Sequence, residues 1–488
     1  MIKPAIDEAR VYARDFKTIP IGMELLSDIK TTVEVLRTLK SSGKKTFLLE
    51  SVEGGEKWGR YSFLGFDPKL TIKGIDGIVE IADKTGVQTS NENPIKVIKS
   101  IIKENRSPQL PEFPVFTGGL VGCIAYDFVK YFEPNLSFDN ENLEKFEDFH
   151  LMLFDKIIAY DHLKQKMVLI VNIKTDDIEK NYIDGVIQLK EIEALIKGSQ
   201  LPKSFAGKLK SDFNTIFSKD YYCQMVEKTK DHIVQGDIFQ AVISNRAEAS
   251  FEGDLLPTYR ILRTINPSPY MFYLDFSTMQ IAGASPETLV SLKNGKLSTF
   301  PIAGSCPRGE RPEEDEENIK ALLKDEKELS EHDMLVDLGR NDLGKISEFG
   351  SVKVENYKQV LKFSHISHIC STVTGKMREG LDQLDAITAV LPAGTLSGAP
   401  KHRAIEIINE LEGQKRGVYG GAVGYIDFSG NLDMCIAIRM AVKKNDKVYI
   451  SAGAGIVADS MPEKEFVESN NKARAMFVAI EKGQELES

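Results

Sequence analysis

Short stretches of alternating apolar and polar residues dominate the first two hundred positions, the period of half-buried β-strands. Residues 71–81 (TIKGIDGIVEI) read as two such runs about Asp76-Gly77, a favoured hairpin turn. Residues 151–173 hold further strand-like runs around a polar break, and 177–197 switch to a helical period. Periodicity then fades over 198–214 (GSQLPKSFAGKLKSDFN), rich in Gly, Ser and Lys. This segment reads as the main linker, dividing an N-terminal region, 1–200, from a C-terminal region, 211–488. A long surface loop inside one domain is the competing reading.

In the second half, hairpins alternate with helices. Residues 289–302 turn at Asn294-Gly295, and 420–442 turn near Ser429-Gly430-Asn431. Helices are expected after Gly398-Ala399-Pro400 and after Ser460-Met461-Pro462-Glu463, the second with the Ser-x-x-Glu spacing of a capping box. The acidic run 310–317 reads as a solvated loop or a first helical turn. This mixture predicts an α+β fold with largely antiparallel sheets, not a doubly wound parallel sheet.

Composition narrows the class. The chain has 488 residues, 42% hydrophobic and 27% charged, as in ordinary globular proteins. No apolar run approaches the ~18 residues of a membrane helix, and MIKPAIDEAR lacks the apolar centre of a signal peptide. Five cysteines, none in CxxC spacing, argue against a disulfide framework or a thiolate zinc site. They fit a reducing, cytoplasmic setting. The net charge of −10, without a basic stripe, argues against nucleic acid as a partner. An anionic ligand must be drawn by a few local cations instead.

Several constellations carry chemical potential. Glu328/Glu331 and Glu465/Glu468 each put two carboxylates on one helical face. Four carboxylates facing one cleft repel unless a hard cation lies between them, which points to Mg²⁺. Taken singly, each pair is an ordinary feature of a solvated helix. Arg439, in CIAIRMAV, reads as mid-strand with apolar neighbours, a costly place for a guanidinium without an anion. An internal ion pair or an exposed sheet face would equally accommodate it. Gly304-Ser305, the segment AGTLSGAPK at 393–401, and AGAGI at 452–456 offer backbone N–H donors, or simply tight turns and caps. The Walker spacing fails in AGTLSGAPK. In SHISHIC, alternation places His368 and Cys370 on one face, where a neutral imidazole can shuttle a proton or fill the core. No GxSxG elbow or convincing Ser/His/Asp or Cys/His set is present.

Together these stretches resemble the chorismate-utilising enzymes, most closely the branch that aminates chorismate to anthranilate. The resemblance is carried by PIAGS at 301–305, ELSEHDMLVDLGRND at 328–342, SHISHICSTVTG at 364–375, and LPAGTLSGAPKHRAIEIINELE at 391–412. RGVYGGAVGYI at 416–426, IAIR at 436–439 and AGAGIVADSMPEKEFVESNNKAR at 452–474 complete it. It implies a sandwich-like body with surrounding helices and a deep cleft. The implied reaction is chorismate plus ammonia giving anthranilate and pyruvate, with Mg²⁺. Glu331 and Glu468 match the metal-binding glutamates, with Glu328 and Glu465 as second ligands or water-bridging partners. Tyr419, Arg439, Gly453, Ala454 and Gly455 match positions that hold chorismate's carboxylates, and Gly304-Ser305 match another contact. Glu287 matches the acid for the departing ring hydroxyl, and His368 the histidine of the later pyruvate elimination. Thr395 and Lys472 are further carry-overs.

Relatives with other chemistry are distinguished by two positions. Ala303 stands where the aminodeoxychorismate enzymes carry a nucleophilic lysine. Gln240 stands where isochorismate and salicylate synthases carry a water-activating lysine. Both favour ammonia as the nucleophile. Ser305 for Thr and Ser367 for Met are departures from the usual pattern. A non-catalytic subunit of the same fold would have been free to lose the four glutamates and Arg439.

LLES at 48–51, GRYSFLG at 59–65 and NPSPYMF at 266–272 resemble the tryptophan-binding part of this branch. They nominate Glu50, Ser51, Pro269, Tyr270 and Met271 as an inhibitor site, with apolar surface for an indole and polar partners for an α-amino acid. No amidotransferase nucleophile is found in the chain. The resemblance therefore implies a separate glutamine amidotransferase subunit supplying ammonia, and hence a hetero-oligomer.

Overall fold

The computed structural model describes residues 2–486 except 44, 52–58, 137, 139, 199–204, 310 and 363–365. Positions 199–204 of the expected linker, Glu310 of the acidic run and positions 364–365 of SHISHIC lie outside the described residues.

Two large antiparallel sheets form the body, as the alternation of hairpins and helices predicts. The first runs through Thr18–Leu26, Lys166–Lys174, Lys156–Asp161, Tyr61–Phe66 and Thr46–Glu50. It continues through Tyr270–Asp275, Met279–Ser285, Met440–Lys444, Lys447–Ile456 and Gln240–Gly253. The second runs from Ile302–Pro307 through Ile366–Lys376, Lys296–Thr299, Thr288–Lys293, Leu432–Ile436 and Ala422–Asp427 to Gly119–Ile124 and Phe149–Phe154. Its far edge is the hairpin Leu70–Ile75 and Ile78–Asp83, turning at Asp76 (φ 48°) and Gly77 (φ 85°), with Gly86–Ser90 beyond. Asn294 (φ 53°) and Gly295 (φ 78°) turn the predicted hairpin of the second half in the same way.

Neither sheet respects the division at 200/211. Glu50 pairs with Met271 in the first sheet, and Val121 pairs with Tyr425 in the second. The two regions are therefore not separately packed bodies. The last part of the expected linker, Gly207–Leu209, is itself an edge strand against Gln240–Gly253. Inner faces of both sheets share one core, with Phe47, Phe63 and Phe272 from one and Leu151, Val290 and Met434 from the other. Phe116 stacks on Tyr425 at 4.3 Å and meets Phe63 edge-on at 5.3 Å, the geometries aromatic pairs prefer. The outer face of the first sheet is covered by helices including Thr32–Lys40, Ile178–Lys197, Leu256–Ile265 and Pro462–Gly483.

Two local expectations need correction. Arg439 is not mid-strand: the apolar run breaks at Ala437, and Arg439 adopts a left-handed φ of 48°. Its two flanks are both strands, but Leu432–Ile436 belongs to the second sheet and Met440–Lys444 to the first. The capping box at Ser460 does not form. Met461 is the cap residue, Pro462 opens the helix, and the Ser460 hydroxyl accepts from the Val457 N–H at 3.1 Å. The acidic run forms the first turns of Pro312–Leu322 as expected, but Asp315 is buried, held by Arg308 at 2.7 Å and Lys362 at 2.8 Å.

Candidate active site

Two chain crossovers between the sheets build the centre of the site. One passes from Met279–Ser285 to Thr288–Lys293 through Pro286 and Glu287, the other through Arg439. Backbone bonds lace them together: Ile436 N–H donates to the Glu287 carbonyl, and Ala284 N–H to the Arg439 carbonyl, both at 3.0 Å. The Glu287 carboxylate accepts from the Thr395 hydroxyl at 3.0 Å. Burial pushes its pKa up to about 7, against the opposing effects of Thr395, Arg439 and Lys472. Its protonated form therefore persists to much higher pH than that of an ordinary glutamate. A small cavity beside it is lined by Thr395, Leu335, Leu338 and Asp342.

The Arg439 guanidinium is half-buried and makes no side-chain hydrogen bond or ion pair among the described residues. Burial lowers its pKa while Glu287 raises it. A left-handed arginine is backbone strain of the kind found at functional sites. A partly desolvated guanidinium without a side-chain partner has hydrogen-bond donors to offer an anion.

His368 lies opposite Ser305 in the antiparallel register, beside a bulge at Gly304 (φ 73°). Its Nδ1 is 3.2 Å from the Gly304 carbonyl, which can only accept, so Nδ1 carries the hydrogen and Nε2 is the basic nitrogen. Burial lowers its pKa, helped by Arg439 and opposed by the Gly304 bond, so the ring is neutral at neutral pH.

The four glutamates lie on the two helices expected, Glu326–Gly344 and Pro462–Gly483. Burial raises the Glu331 pKa, and the charges of Glu328 and Glu468 raise it further against Lys472 and Lys327. Glu465 is raised by burial and by Glu468. The charge on one helix therefore reaches a carboxylate on the other. Among the described residues, no three His, Cys, Asp or Glu side chains converge closely enough to hold a metal ion. Lys472 is the hub between the groups: its Nζ lies 2.7 Å from Glu468 and donates to the Gly453 carbonyl at 3.3 Å, and its charge reaches Glu287, Glu331 and Glu465.

Other nominated residues divide. Gly453, Ala454 and Gly455 pair with Ser244, Ile243 and Val242, and Ala454 is buried in an apolar cluster, leaving only its backbone for a ligand. Gln240 is buried, and its amide nitrogen lies 2.5 Å from where a Cβ on Gly455 would stand. Gly304 approaches Glu328 in the same way, at 3.2 Å from a Cβ to the Glu328 oxygen. Ser305 is exposed. Tyr419 is buried in a different small cavity with Arg416 and Arg246. No hydrogen bond among the described residues ties it to Glu287, Arg439 or His368. Asp342 was not expected: it lines the cavity beside Glu287 and is held by Lys401 at 2.7 Å.

All five residues nominated for an inhibitor line one cavity of about 330 Å³: Glu50, Ser51, Pro269, Tyr270 and Met271. That volume suits a small organic ligand. Glu50 is buried and accepts from Thr32 and Tyr259, both at 2.6 Å, with Arg263 at 3.0 Å. Arg60, in the GRYSFLG stretch but not singled out, also reaches the cavity; Lys293 and Asp433 reach it too and were missed, since single charges outside a motif carry no sequence signal.

With this geometry in place, comparison is informative. The chain belongs to the chorismate-binding enzymes, whose family profile matches residues 46–478. Its relatives include the anthranilate synthase component 1 of Acetivibrio thermocellus, 45% identical over 100% of both chains. That of Aquifex aeolicus is 42% identical over 99% of this chain and 98% of its own. The crystal structure of anthranilate synthase component I from Streptococcus pneumoniae, 36% identical, superposes with a TM-score of 0.77 over 93% of this chain and 98% of that one. The menaquinone-specific isochorismate synthase of Escherichia coli shares the fold at 17% identity, with a TM-score of 0.70 over 98% and 99% of the two chains. Among the described residues, no helix is long and apolar enough to cross a membrane.

Proposed function

We propose that the chain aminates chorismate with ammonia and eliminates pyruvate to give anthranilate. The observation that carries this reading is the Glu287 carboxyl, near-neutral in pKa and bonded by Thr395, beside the unpaired Arg439. Arg439 takes a carboxylate of the substrate and fixes the ring. Glu287, in its protonated form, gives its proton to the departing ring hydroxyl, a task that suits a carboxyl with a raised pKa. Ammonia forms the C–N bond as that hydroxyl leaves as water, and the new ammonium sheds a proton. His368 Nε2 then accepts the ring C–H proton as the C–O bond to the enolpyruvyl group breaks and the ring becomes aromatic, and the released enolate takes up a proton at carbon to give pyruvate. Ala303 and Gln240 offer no amine for a covalent or water-activating route, which supports ammonia as the nucleophile.

The four glutamates are hard oxygen donors whose mutual repulsion a cation would relieve, so the donor chemistry fits Mg²⁺. Glu331 and Glu468 would hold it, with Glu328 and Glu465 nearby, and Lys472 would have to release Glu468. When bound, it supplies positive charge for a substrate carboxylate as the hydroxyl leaves. Ammonia comes from a separate glutamine amidotransferase subunit, and tryptophan occupies the 330 Å³ cavity as inhibitor. The test is purified chain with chorismate, Mg²⁺ and an ammonium salt at alkaline pH, followed by anthranilate fluorescence and chromatography. Isochorismate or aminodeoxychorismate as the product, or no turnover, would overturn the reading.

A further inference from the structure

Thr288–Lys293 pairs with Leu432–Ile436; Lys293, Asp433 and Cys435 of this strand pair line the 330 Å³ cavity, and Leu289 and Ile436 line the small cavity beside Glu287. Tyr270 bridges the two strands. Its hydroxyl is 2.8 Å from Asp433 Oδ1 and 2.8 Å from Thr288 Oγ1. A carboxylate only accepts, so the phenol donates to Asp433 and Thr288 donates to the phenol. Burial and the Asp433 charge hold the Tyr270 pKa well above its ordinary value, which keeps the donor in place. Tyr270, Asp433 and Lys293 all line the cavity.

Thr288 is the residue after Glu287. Successive residues of an extended chain point to opposite faces, so Thr288 meets Tyr270 while Glu287 meets Thr395. The register against the neighbouring strand shifts between Thr288 and Val290, a bulge where a small local pull re-aims a side chain. Cavity charges differ in how firmly they are held. Arg60 is 2.9 Å from Asp161, and Glu50 has three partners. Lys293 and Asp433 are 3.5 Å apart, a looser pair than either. A zwitterion brings both charges needed to exchange partners with that pair.

We propose that Tyr270 is a positioning residue that couples the cavity to the catalytic acid. An α-amino acid bound in the cavity draws Asp433 and Lys293 to its own charges, Tyr270 follows Asp433, and the Thr288 bulge carries Glu287 away from Thr395. This rests on the inhibitor reading given above. It adds the route by which occupancy is felt at the acid, through one hydroxyl and not through the fully satisfied Glu50.

The experiment compares the full-length protein with Tyr270→Phe and Thr288→Val, using calorimetric titration with tryptophan and the ammonium-dependent assay. In both variants we expect activity remaining at saturating tryptophan to rise by about tenfold or more over the unmodified protein, the size of an ordinary coupling. Thr288→Val leaves the cavity lining unaltered and should bind tryptophan within about threefold of the unmodified protein. It decides the case if Tyr270→Phe binds poorly. In the unmodified protein, tryptophan should move the limb of kcat/KM set by Glu287 to higher pH, because the Thr395 bond that lowers its pKa is then released; in both variants the limb should stay where it is when tryptophan binds. A merely structural role would reduce folded protein and leave the tryptophan-induced movement of that limb intact. Full inhibition of Thr288→Val with tryptophan bound, and a limb that tryptophan still moves, would overturn the relay alone. An unmodified protein that neither binds nor responds to tryptophan would instead overturn the inhibitor reading beneath it.

Discussion

Glu287 and Arg439 occupy neighbouring points where the chain leaves one sheet for the other, and each acts on the other's charge. Neither residue is within a strand, yet both backbones are fixed by strand neighbours at 3.0 Å. The site thus combines irregular backbone, which re-aims side chains, with the rigidity of two sheets.

The first consequence is a pH dependence. Glu287 must be protonated to act as an acid, and its pKa is about 7. At fixed free ammonia, kcat/KM for chorismate should be flat below that pH and fall by about tenfold per unit above it. Glu287→Gln should remove nearly all turnover. The same shift costs stability: between its ordinary value and about 7 the folded state binds the extra proton, so this contribution is lost as pH rises through that window. Glu287→Gln should therefore unfold at a higher temperature than the unmodified protein at pH 8, with a gain on the order of 1 kcal/mol. An unchanged or lower Tm would contradict the burial argument.

Thr395 lowers the Glu287 pKa through its hydrogen bond. Thr395→Val should move the descending limb upward by roughly one unit, so that activity persists to higher pH. A limb that stays in place would show that the bond is absent in solution.

Glu331→Gln and Glu468→Gln each delete a charged oxygen donor. Each should leave the circular dichroism spectrum unchanged and lower activity by about a hundredfold at limiting Mg²⁺. Full activity in either would remove that residue from the metal site.

His368→Met removes the basic Nε2 while retaining bulk. It should accumulate an aminated intermediate that chromatography separates from anthranilate. Only unreacted chorismate would assign His368 to the first step.

Ser51→Phe puts a bulky ring into the 330 Å³ cavity. Tryptophan inhibition should weaken by about tenfold or more, because an effector works only through preferential binding to one state. Inhibition as strong as in the unmodified protein would place the effector elsewhere.

Local pattern carried the hairpins at Asp76-Gly77 and Asn294-Gly295, because turn chemistry is written in adjacent residues. It also placed each Glu-x-x-Glu pair on one helix. The crossover at Arg439 was not legible, since both flanks are true strands and alternation does not record which sheet a strand joins. The division at 198–214 failed for a related reason: an edge strand with polar neighbours looks like a linker until its partner is known. Tyr270 was nominated for the cavity, but its bond to Thr288 depends on pairing between distant segments. The roles of Glu287 and His368 came from long motif resemblance, for neither spacing nor composition distinguishes them from other acids and histidines.

Shared sheets also bear on synthesis. The strand Thr46–Glu50 finds one of its neighbours, Tyr270–Asp275, only after roughly two hundred further residues have been made. Until then one edge of a buried, apolar strand stands open, the kind of edge that recruits other chains. Helices Thr32–Lys40 and Ile178–Lys197, which flank the same sheet, are available earlier and shield its outer face. A chain cut near residue 200 would keep that open edge permanently, so the first two hundred residues cannot be inherited, borrowed or transplanted apart from the rest.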